Sequence, residues 1–308
     1  MTAPITPIMA GGTGRSGTTV IAGLLHRHPQ VRASWPREVK FVNKEGGLLD
    51  LVLGPEGAKA KRRLLGGSSS SPRDRLAAFD AGMRGPWWLR TNRLGRDSGL
   101  HLSIDETERD RLLAELDHQL DADPLGAGRA FLTGMARAQR GDAGEQMWID
   151  TSPPNIANAS RIHRFWPQTR FIWMVRDGRS TAASVIAERW GPDDPVEAIT
   201  WWEKRMRRAH QGLSTVPATS VLILSLEDLV VLDREASYQH VLDFLGLSDD
   251  PTMRAFFNDQ MPAERVGLDK WRSRVPDPAA FESEYRMAVG RLEADGMDPY
   301  DRGIDRVT

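Results

Sequence analysis

The sequence contains no cysteine in 308 residues. Disulfide bonds, thiolate nucleophiles and zinc sites built on cysteine are therefore excluded. The chain also lacks an excess of one charge, because 41 basic and 42 acidic residues leave a formal net charge of −1. No global positive field is available to attract nucleic acid or an anionic membrane, so we expect no nucleic-acid partner.

Long apolar runs are missing as well. No stretch reaches the roughly 18 consecutive apolar residues that a membrane-spanning helix needs. The first residues, Met1–Met9, carry neither the basic segment nor the long apolar segment of a secretory leader. We therefore expect a cytoplasmic protein that does not span a membrane, and the sequence leaves its oligomeric state open. The seven histidines show no metal-ligand spacing, so we predict no metal site.

Apolar, strand-like runs alternate with helical patterns along much of the chain. The strand-like runs are Ile5–Ala10, Val31–Trp35, Met147–Ile149, Phe171–Val175 and Ser220–Leu226. Helical patterns over Thr18–His28, Ser180–Arg189 and Ala236–Leu245 follow three of these runs. Buried strands that alternate with helices are typical of a parallel sheet covered on both faces. We therefore predict a three-layer α/β fold with a central parallel sheet.

The section from about residue 55 to residue 145 lacks clear strand signals. Arg73–Met83 and Thr107–Leu120 have helical patterns instead. Ser103 and Glu106 have the spacing of a capping box for the second helix. We predict a single domain over residues 1–308, with a helical insertion at about 55–145 that covers the site.

A glycine-rich loop follows the first predicted strand and leads into a helix. From Gly11 to Thr19 it holds four glycines, four hydroxyl side chains and Arg15, a composition that an ordinary turn does not need. Such a loop turns its N–H groups toward an anion at the positive end of the helix, and the arginine adds a fixed fork of donors. The residues predicted to bind the anion are Gly14, Arg15, Ser16, Gly17, Thr18 and Thr19.

The loop departs from the ATP-binding P-loop at one position. Gly12 and Gly17 have the P-loop spacing, but Thr18 stands where the P-loop lysine belongs. A kinase that uses ATP and Mg²⁺ therefore remains an alternative, and the sequence indicates it only weakly.

A second anion site is predicted where the strand Phe171–Val175 ends. Arg176 follows this strand directly, and Ser184 lies eight residues later in the next predicted helix. The carboxyl ends of strands are where open α/β sheets bind ligands. Asp177 admits a different interpretation, as the metal-binding carboxylate of a P-loop enzyme, whereas Arg179 is predicted to be a solvated helix residue.

Both sites resemble those of one family. Arg15-Ser16-Gly17-Thr18-Thr19 is similar to the 5′-phosphosulfate loop of the sulfotransferases that use PAPS (3′-phosphoadenosine 5′-phosphosulfate). Arg176 and Ser184 match the spacing of the family's 3′-phosphate motif. The resemblance implies a P-loop-like fold, PAPS as cosubstrate, its desulfated form PAP as product, and no metal.

Two further segments resemble the family near the reacting groups. Arg37-Glu38-Val39-Lys40-Phe41 is similar to the Lys-Glu-x-His-Phe-Phe stretch of carbohydrate-directed sulfotransferases. This implies that Glu38 is the general base, and that Arg15 with Lys40 stabilises charge on the leaving oxygen. A second segment resembles the family's Glu-Lys-Thr-Pro pattern, but Thr151 stands in place of its lysine.

The later part of the chain continues the resemblance. Leu226, Glu227 and Asp228 stand where the family has Tyr-Glu-Asp, and we predict that the two carboxylates are structural caps. Arg265 and Gly267 lie in a segment that resembles the late glycine-rich loop for the cosubstrate.

The sequence as a whole predicts a sulfotransferase that moves a sulfuryl group from PAPS to an acceptor hydroxyl by in-line displacement. The acceptor, a small molecule, a carbohydrate or a lipid, is not specified by these motifs. Besides the kinase, a non-catalytic module that binds sulfonucleotides remains an alternative.

Overall fold

The computed structural model describes residues 5–56, 71–91, 95–140 and 146–300. Five strands form one sheet in the order β2-β3-β1-β4-β5. Their bounds are β1 Thr6–Gly12, β2 Val31–Ala33, β3 Met147–Asp150, β4 Arg170–Val175 and β5 Val221–Ser225. β2 pairs with β3, and β4 with β5, in parallel. The predicted α/β fold with a central parallel sheet is confirmed.

Twelve α-helices lie within the described residues. Those before β3 are α1 Thr18–Leu25, α2 Lys40–Asn43, α3 Leu48–Leu53, α4 Pro72–Arg84, α5 Glu106–Gln119 and α6 Pro124–Arg140. Those after it are α7 Ala159–Phe165, α8 Gly178–Ile186, α9 Pro195–Leu213, α10 Arg234–Leu245, α11 Pro251–Gln260 and α12 Pro278–Ala294. The helices predicted after β1, β4 and β5 are thus confirmed as α1, α8 and α10.

The strand β4 shows why a run of apolar residues predicted a strand. All five residues of Phe171–Val175 are buried, as expected for a strand inside a parallel sheet that is covered on both faces. The glycine-rich loop follows β1, the middle strand in the order. Its residues therefore start from the carboxyl end of the central strand, the edge at which open α/β sheets bind ligands.

The chain divides into two compact units. The first comprises residues 1–8, 29–152 and 161–169. Within it, the Phe131 ring on α6 meets Phe41 on α2 edge-on, with centroids 6.0 Å apart, and Phe79 on α4 at 5.4 Å. These buried aromatic contacts join three helices of the first unit into one core.

Helices occupy most of the described part of residues 55–145, including the predicted segments now seen as α4 and α5. Residues 57–70, 92–94 and 141–145 of the predicted insertion lie outside the described residues. The predicted capping box is wrong. Asp105, not Ser103, caps α5 by accepting a hydrogen bond from the Glu108 N–H, because it lies one residue before the helix. Ser103 instead donates to the Trp35 carbonyl at 2.6 Å.

The second unit comprises residues 9–28, 153–160 and 170–308. Trp202 on α9 and Tyr285 on α12 pack with ring centroids 5.1 Å apart. Both rings approach Gly178, the first residue of α8, where a Cβ would lie 2.4 Å from Tyr285 and 2.6 Å from Trp202. Glycine at this position lets α12 and α9 pack against the start of α8, directly after Arg176 and Asp177.

Candidate active site

The glycine loop follows β1 in a conformation that requires glycine. Gly14 and Gly17 have φ angles of 90° and 96°, in the left-handed region that favours glycine. Gly12 has a different constraint, because a Cβ there would lie 2.4 Å from the Met174 carbonyl oxygen and 2.5 Å from Ser16 Oγ. Arg15 also has a positive φ, 59°, which is uncommon for a residue other than glycine.

The hydroxyl side chains of the loop differ in burial. Ser16 and Thr18 are buried, whereas Thr19 is exposed. Ser16 Oγ has no hydrogen-bond partner among the described residues. A buried hydroxyl without a partner is costly, and an anion held at the start of α1 would satisfy it.

The predicted residues of the two anion sites lie together in the second unit. Arg15 Nε donates a hydrogen bond to Ser184 Oγ at 3.0 Å. Arg176 donates to the Arg15 carbonyl at 2.9 Å. Arg15 also lies 3.4 Å from the Glu188 carboxylate. The structure thus brings Arg15 together with Arg176 and Ser184, although about 160 residues separate Arg15 from the other two.

A buried carboxylate accompanies Arg176. Glu227, just after β5, is 2% exposed and lies 3.9 Å from Arg176 Nε. Its carboxylate accepts a hydrogen bond from the Asp177 N–H at 3.1 Å. The prediction that Glu227 is a helix cap is therefore wrong: the carboxylate holds the turn after β4. Burial raises the pKa of Glu227 to about 7.

Arg176 is the cation at the centre of this arrangement. Burial lowers the pKa of its guanidinium, and the neighbouring positive charges of Arg274 and Arg15 lower it further. Its Nε is buried with no hydrogen-bond partner among the residues that the structure describes. Sequence reasoning did not select Arg274. The signal available for it was a second arginine shortly after the segment that resembles the late cosubstrate loop.

Asp177 and Arg179 have structural roles at the start of α8. Asp177 caps the helix, accepting from the Ser180 N–H at 2.7 Å, and pairs with Arg179 at 3.0 Å. Arg179 is 3% exposed and also pairs with Glu282 of α12 at 3.1 Å. The prediction that Arg179 is solvated is wrong, because α12 covers it. The Asp177 carboxylate is engaged in the cap and the ion pair, which weakens its interpretation as a metal ligand.

The two residues predicted from the late cosubstrate loop, Arg265 and Gly267, show no described contact with the residues of the two anion sites. Arg265 is exposed and donates to the Gln260 carbonyl at 3.0 Å. A Cβ on Gly267 would meet the Lys270 stem at 2.4 Å. The described contacts of both residues are local, and their role in cosubstrate binding stays a prediction.

The candidate base lies in the first unit. Glu38 forms an ion pair with Lys40, and its side chain is 41% exposed. The flanking backbone is anchored to the segment after β3: Asp150 accepts from the Val39 N–H at 2.9 Å, and Thr151 Oγ1 donates to the Arg37 carbonyl at 2.9 Å. Thr151, which replaces the family's lysine, thus fixes the segment that carries Glu38 and supplies no charge.

No group of three or more His, Asp or Glu side chains in the described ranges has an arrangement that could hold a metal ion. Among these residues, no helix combines the length and the apolar character needed to cross a membrane.

Comparison with known proteins identifies the family. The sequence profile described as "Sulfotransferase family" matches residues 7–251. A chicken protein (Gallus gallus) named protein-tyrosine sulfotransferase 2 is 23% identical over 318 residues, which cover 95% of this chain and 70% of the relative.

Two solved structures share the fold. The sulfotransferase domain from the curacin biosynthetic pathway superposes with a TM-score of 0.55 at 17% identity, covering 95% of this chain and 99% of that one. The sulfotransferase domain from the Synechococcus PCC 7002 olefin synthase gives 0.51 at 19%, with coverages of 95% and 96%. Because the family profile matches most of its length, the chain belongs to the sulfotransferase family.

Proposed function

We propose that this protein transfers a sulfuryl group from PAPS to an acceptor hydroxyl. One observation carries the proposal: hydrogen bonds connect the two predicted anion sites within one unit. Arg15 donates to the Ser184 hydroxyl, and Arg176 donates to the Arg15 carbonyl. PAPS carries an anionic group at each of two positions, 5′ and 3′. A paired site of this kind therefore suits PAPS better than a nucleotide with 5′ phosphates alone.

The 5′ phosphosulfate would lie on Gly14–Thr19. The N–H groups at the start of α1 and the buried Ser16 hydroxyl supply donors there, and Ser16 Oγ has no partner among the described residues. Thr18 in place of the P-loop lysine leaves Arg15 as the cation of the loop. Arg15 would stabilise the negative charge that develops on the leaving bridge oxygen.

The 3′ phosphate would bind Arg176 and Ser184. Arg176 Nε is buried and has no hydrogen-bond partner in the described part of the chain, so a phosphate oxygen would supply one. Ser184 Oγ accepts from Arg15, which leaves its own hydroxyl proton free to be donated to the phosphate. Arg274, whose charge acts on Arg176, would add to the positive potential at this position.

Glu38 would act as the general base. The acceptor oxygen attacks sulfur, the bond from sulfur to the bridge oxygen of the 5′ phosphate breaks, PAP leaves, and the hydroxyl proton passes to the Glu38 carboxylate. The ion pair with Lys40 and the anchoring of Val39 to Asp150 support this role, because they restrict the position of the carboxylate. Lys40 would share with Arg15 the stabilisation of the leaving group, without a metal.

The acceptor class is part of the proposal. A small molecule, a carbohydrate or a lipid with a free hydroxyl fits the reaction. The chicken relative is named for a tyrosine acceptor, so phenolic hydroxyls belong among the candidates.

The experiment that tests the donor assignment is a titration of PAP into two arginine variants. Arg176→Gln should weaken PAP binding by about 2–3 kcal/mol, the size of a lost charge-assisted contact. Arg170→Gln is the matched control, because Arg170 lies at the opposite end of β4 and donates to Thr219. Equal effects of the two variants, or none from Arg176→Gln, would remove Arg176 from the nucleotide site.

A further inference from the structure

An aromatic pair in the second unit has no role in the proposed donor site. Trp190 lies between α8 and α9, and Trp201 lies on α9; their ring centroids are 5.8 Å apart, with an angle of 43° between the planes. Trp190 is 43% exposed, so much of its indole surface is open to solvent. We call this pair the aromatic wall.

The aromatic wall adjoins the glycine loop. Cη2 of Trp201 lies 3.8 Å from the point that a Cβ on Gly14 would occupy. At the other end of the loop, the corresponding neighbour of Gly17 is the aliphatic Leu226, at 2.8 Å. A molecule approaching the loop beside Gly14 would therefore meet an aromatic surface, next to the residue that precedes Arg15.

A cation lies against the same wall. Arg205 follows Trp201 by four residues on α9, and its guanidinium carbon is 4.2 Å from the Trp201 ring centroid. It is half-buried, and no hydrogen bond or ion pair joins its side chain to a described residue. Burial lowers the pKa of Arg205, and the like charge of Arg208 lowers it further. A partly desolvated cation without an anion gains more from an anionic ligand than a solvated one does.

We propose that the aromatic wall and Arg205 form the acceptor site, and that the acceptor is a hydroxylated aromatic compound with an anionic substituent. A flat ring can place its whole face on the exposed indole of Trp190, whereas a saturated ring offers only its axial hydrogens. The anionic substituent binds Arg205. The inference rests on the proposed function, because it needs the donor sulfuryl group at the neighbouring loop. The ring hydroxyl then forms the new bond to sulfur as the bond to the bridge oxygen breaks.

Three small probes separate charge from ring shape. They are para-hydroxyphenylacetate, its neutral amide, and its saturated counterpart trans-4-hydroxycyclohexylacetate, each titrated with and without PAP. The wild-type protein should bind the aromatic carboxylate at least about tenfold more tightly than the amide, because only the carboxylate makes a charge-assisted contact. The saturated acid should also bind more weakly than the aromatic one.

Two variants and one control assign these preferences to residues. Arg205→Gln should abolish the preference for the carboxylate over the amide, and Trp190→Leu should weaken the binding of both aromatic probes, because the exposed indole of Trp190 carries the ring. Lys204→Gln is the matched control, because Lys204 is an exposed cation on the same helix. It should change each affinity by less than about twofold. PAP affinity should be unchanged in all three variants.

The outcomes distinguish this inference from the donor assignment. If PAP does not bind while the probes show the expected order, the donor assignment fails and the acceptor site stands. If no probe binds at millimolar concentration, or if the amide and the saturated acid bind as well as the aromatic acid, the acceptor inference is wrong. A loss of PAP affinity in Trp190→Leu or Arg205→Gln would also overturn it, because those residues would then belong to the nucleotide site.

Discussion

Replacing Glu227 by glutamine should remove a pH dependence from PAP binding. The Glu227 carboxylate lies 3.9 Å from Arg176 Nε, and burial raises its pKa to about 7. A 3′ phosphate would form an ion pair with Arg176 in place of Glu227, and it would add a negative charge close to the Glu227 carboxylate. The ionised form of Glu227 would then be disfavoured, so the carboxylate should take up a proton when PAP binds.

The magnitude follows from the pKa of the free protein. At about pH 6 most Glu227 is protonated, whereas at about pH 8 roughly one molecule in eleven is, so the binding-competent fraction falls about tenfold, or 1.4 kcal/mol. The attraction between Arg176 and the ionised Glu227 carboxylate, which the 3′ phosphate would replace, is large enough to produce this change. Two unit charges about 4 Å apart interact by about 4 kcal/mol at an effective dielectric constant of 20. PAP affinity in the wild type should therefore fall as the pH rises through about 7.

Calorimetry in buffers of different ionisation enthalpy measures both the affinity and the protons taken up. The phosphates of PAP titrate near pH 6 themselves, but this contribution is common to the wild type and the variant. Glu227→Gln should lose the tenfold fall, and Glu293→Gln, an exposed glutamate on α12, should retain it. Identical pH profiles for the wild type and Glu227→Gln would refute the reasoning. The Asp177 carboxylate accepts hydrogen bonds from the Arg179 side chain and from the Ser180 N–H. We therefore do not expect Asp177 to take up the proton in place of Glu227 when PAP binds.

Four further measurements, one of them on the same Glu227→Gln variant, have defined outcomes. Glu227→Gln should raise the melting temperature more at pH 8 than at pH 5. Between about pH 4.5 and pH 7 the Glu227 carboxyl is protonated in the folded protein but ionised in the unfolded chain, so its ionisation in the folded protein lowers stability as the pH rises. An equal shift at both pH values would contradict this. Gly17→Ala should weaken PAP binding and lower stability, because its φ is 96° and a Cβ would lie 2.8 Å from Leu226, whereas Gly290→Ala, with no atom near its Cβ, should be tolerated in a thermal melt. Arg179→Leu should destabilise the fold by about 3–5 kcal/mol in denaturant unfolding, because Asp177 is left buried without its partner; a loss below about 1 kcal/mol would mean that the pair is not structural. Glu38→Gln should lower kcat by about two orders of magnitude or more and leave PAP affinity and melting temperature unchanged, and turnover should survive EDTA; normal turnover in the variant would exclude Glu38 as the base, and activity restored by Mg²⁺ would favour a kinase.

Local patterns in the sequence were sufficient for the sheet and the glycine loop. Apolar runs predicted all five strands, because buried parallel strands are apolar on both faces. The loop from Gly12 to Thr19 was recognisable because its glycines, hydroxyl side chains and arginine lie next to each other in the sequence, and the positive φ angles of Gly14 and Gly17 require glycine locally. The assignment of Arg176 and Ser184 to one phosphate came from their match to the spacing of the family's 3′-phosphate motif, and it stays a prediction.

Features that depend on distant segments were not predictable in the same way. Arg179 has the sequence context of a surface helix residue, and only the packing of α12, about a hundred residues later, buries it and supplies Glu282. Glu227 was predicted to be a cap because its true partner is distant in the sequence. Its carboxylate accepts a hydrogen bond from the Asp177 N–H, and this contact joins the segments that follow two different strands. The contact of Trp201 with Gly14 was not predictable either, because the sequence does not determine which face of α9 meets the loop.

The central claim is that the paired anion site holds a nucleotide with both a 5′ and a 3′ anionic group. Calorimetric titration of the wild-type protein with PAP, with AMP, and with ATP plus Mg²⁺ tests it most directly. PAP and AMP differ only in the 3′ phosphate that we assign to Arg176 and Ser184, so PAP should bind at least about tenfold more tightly than AMP, and more tightly than ATP plus Mg²⁺. Equal affinity for PAP and AMP, or a preference for ATP with Mg²⁺, would contradict the account.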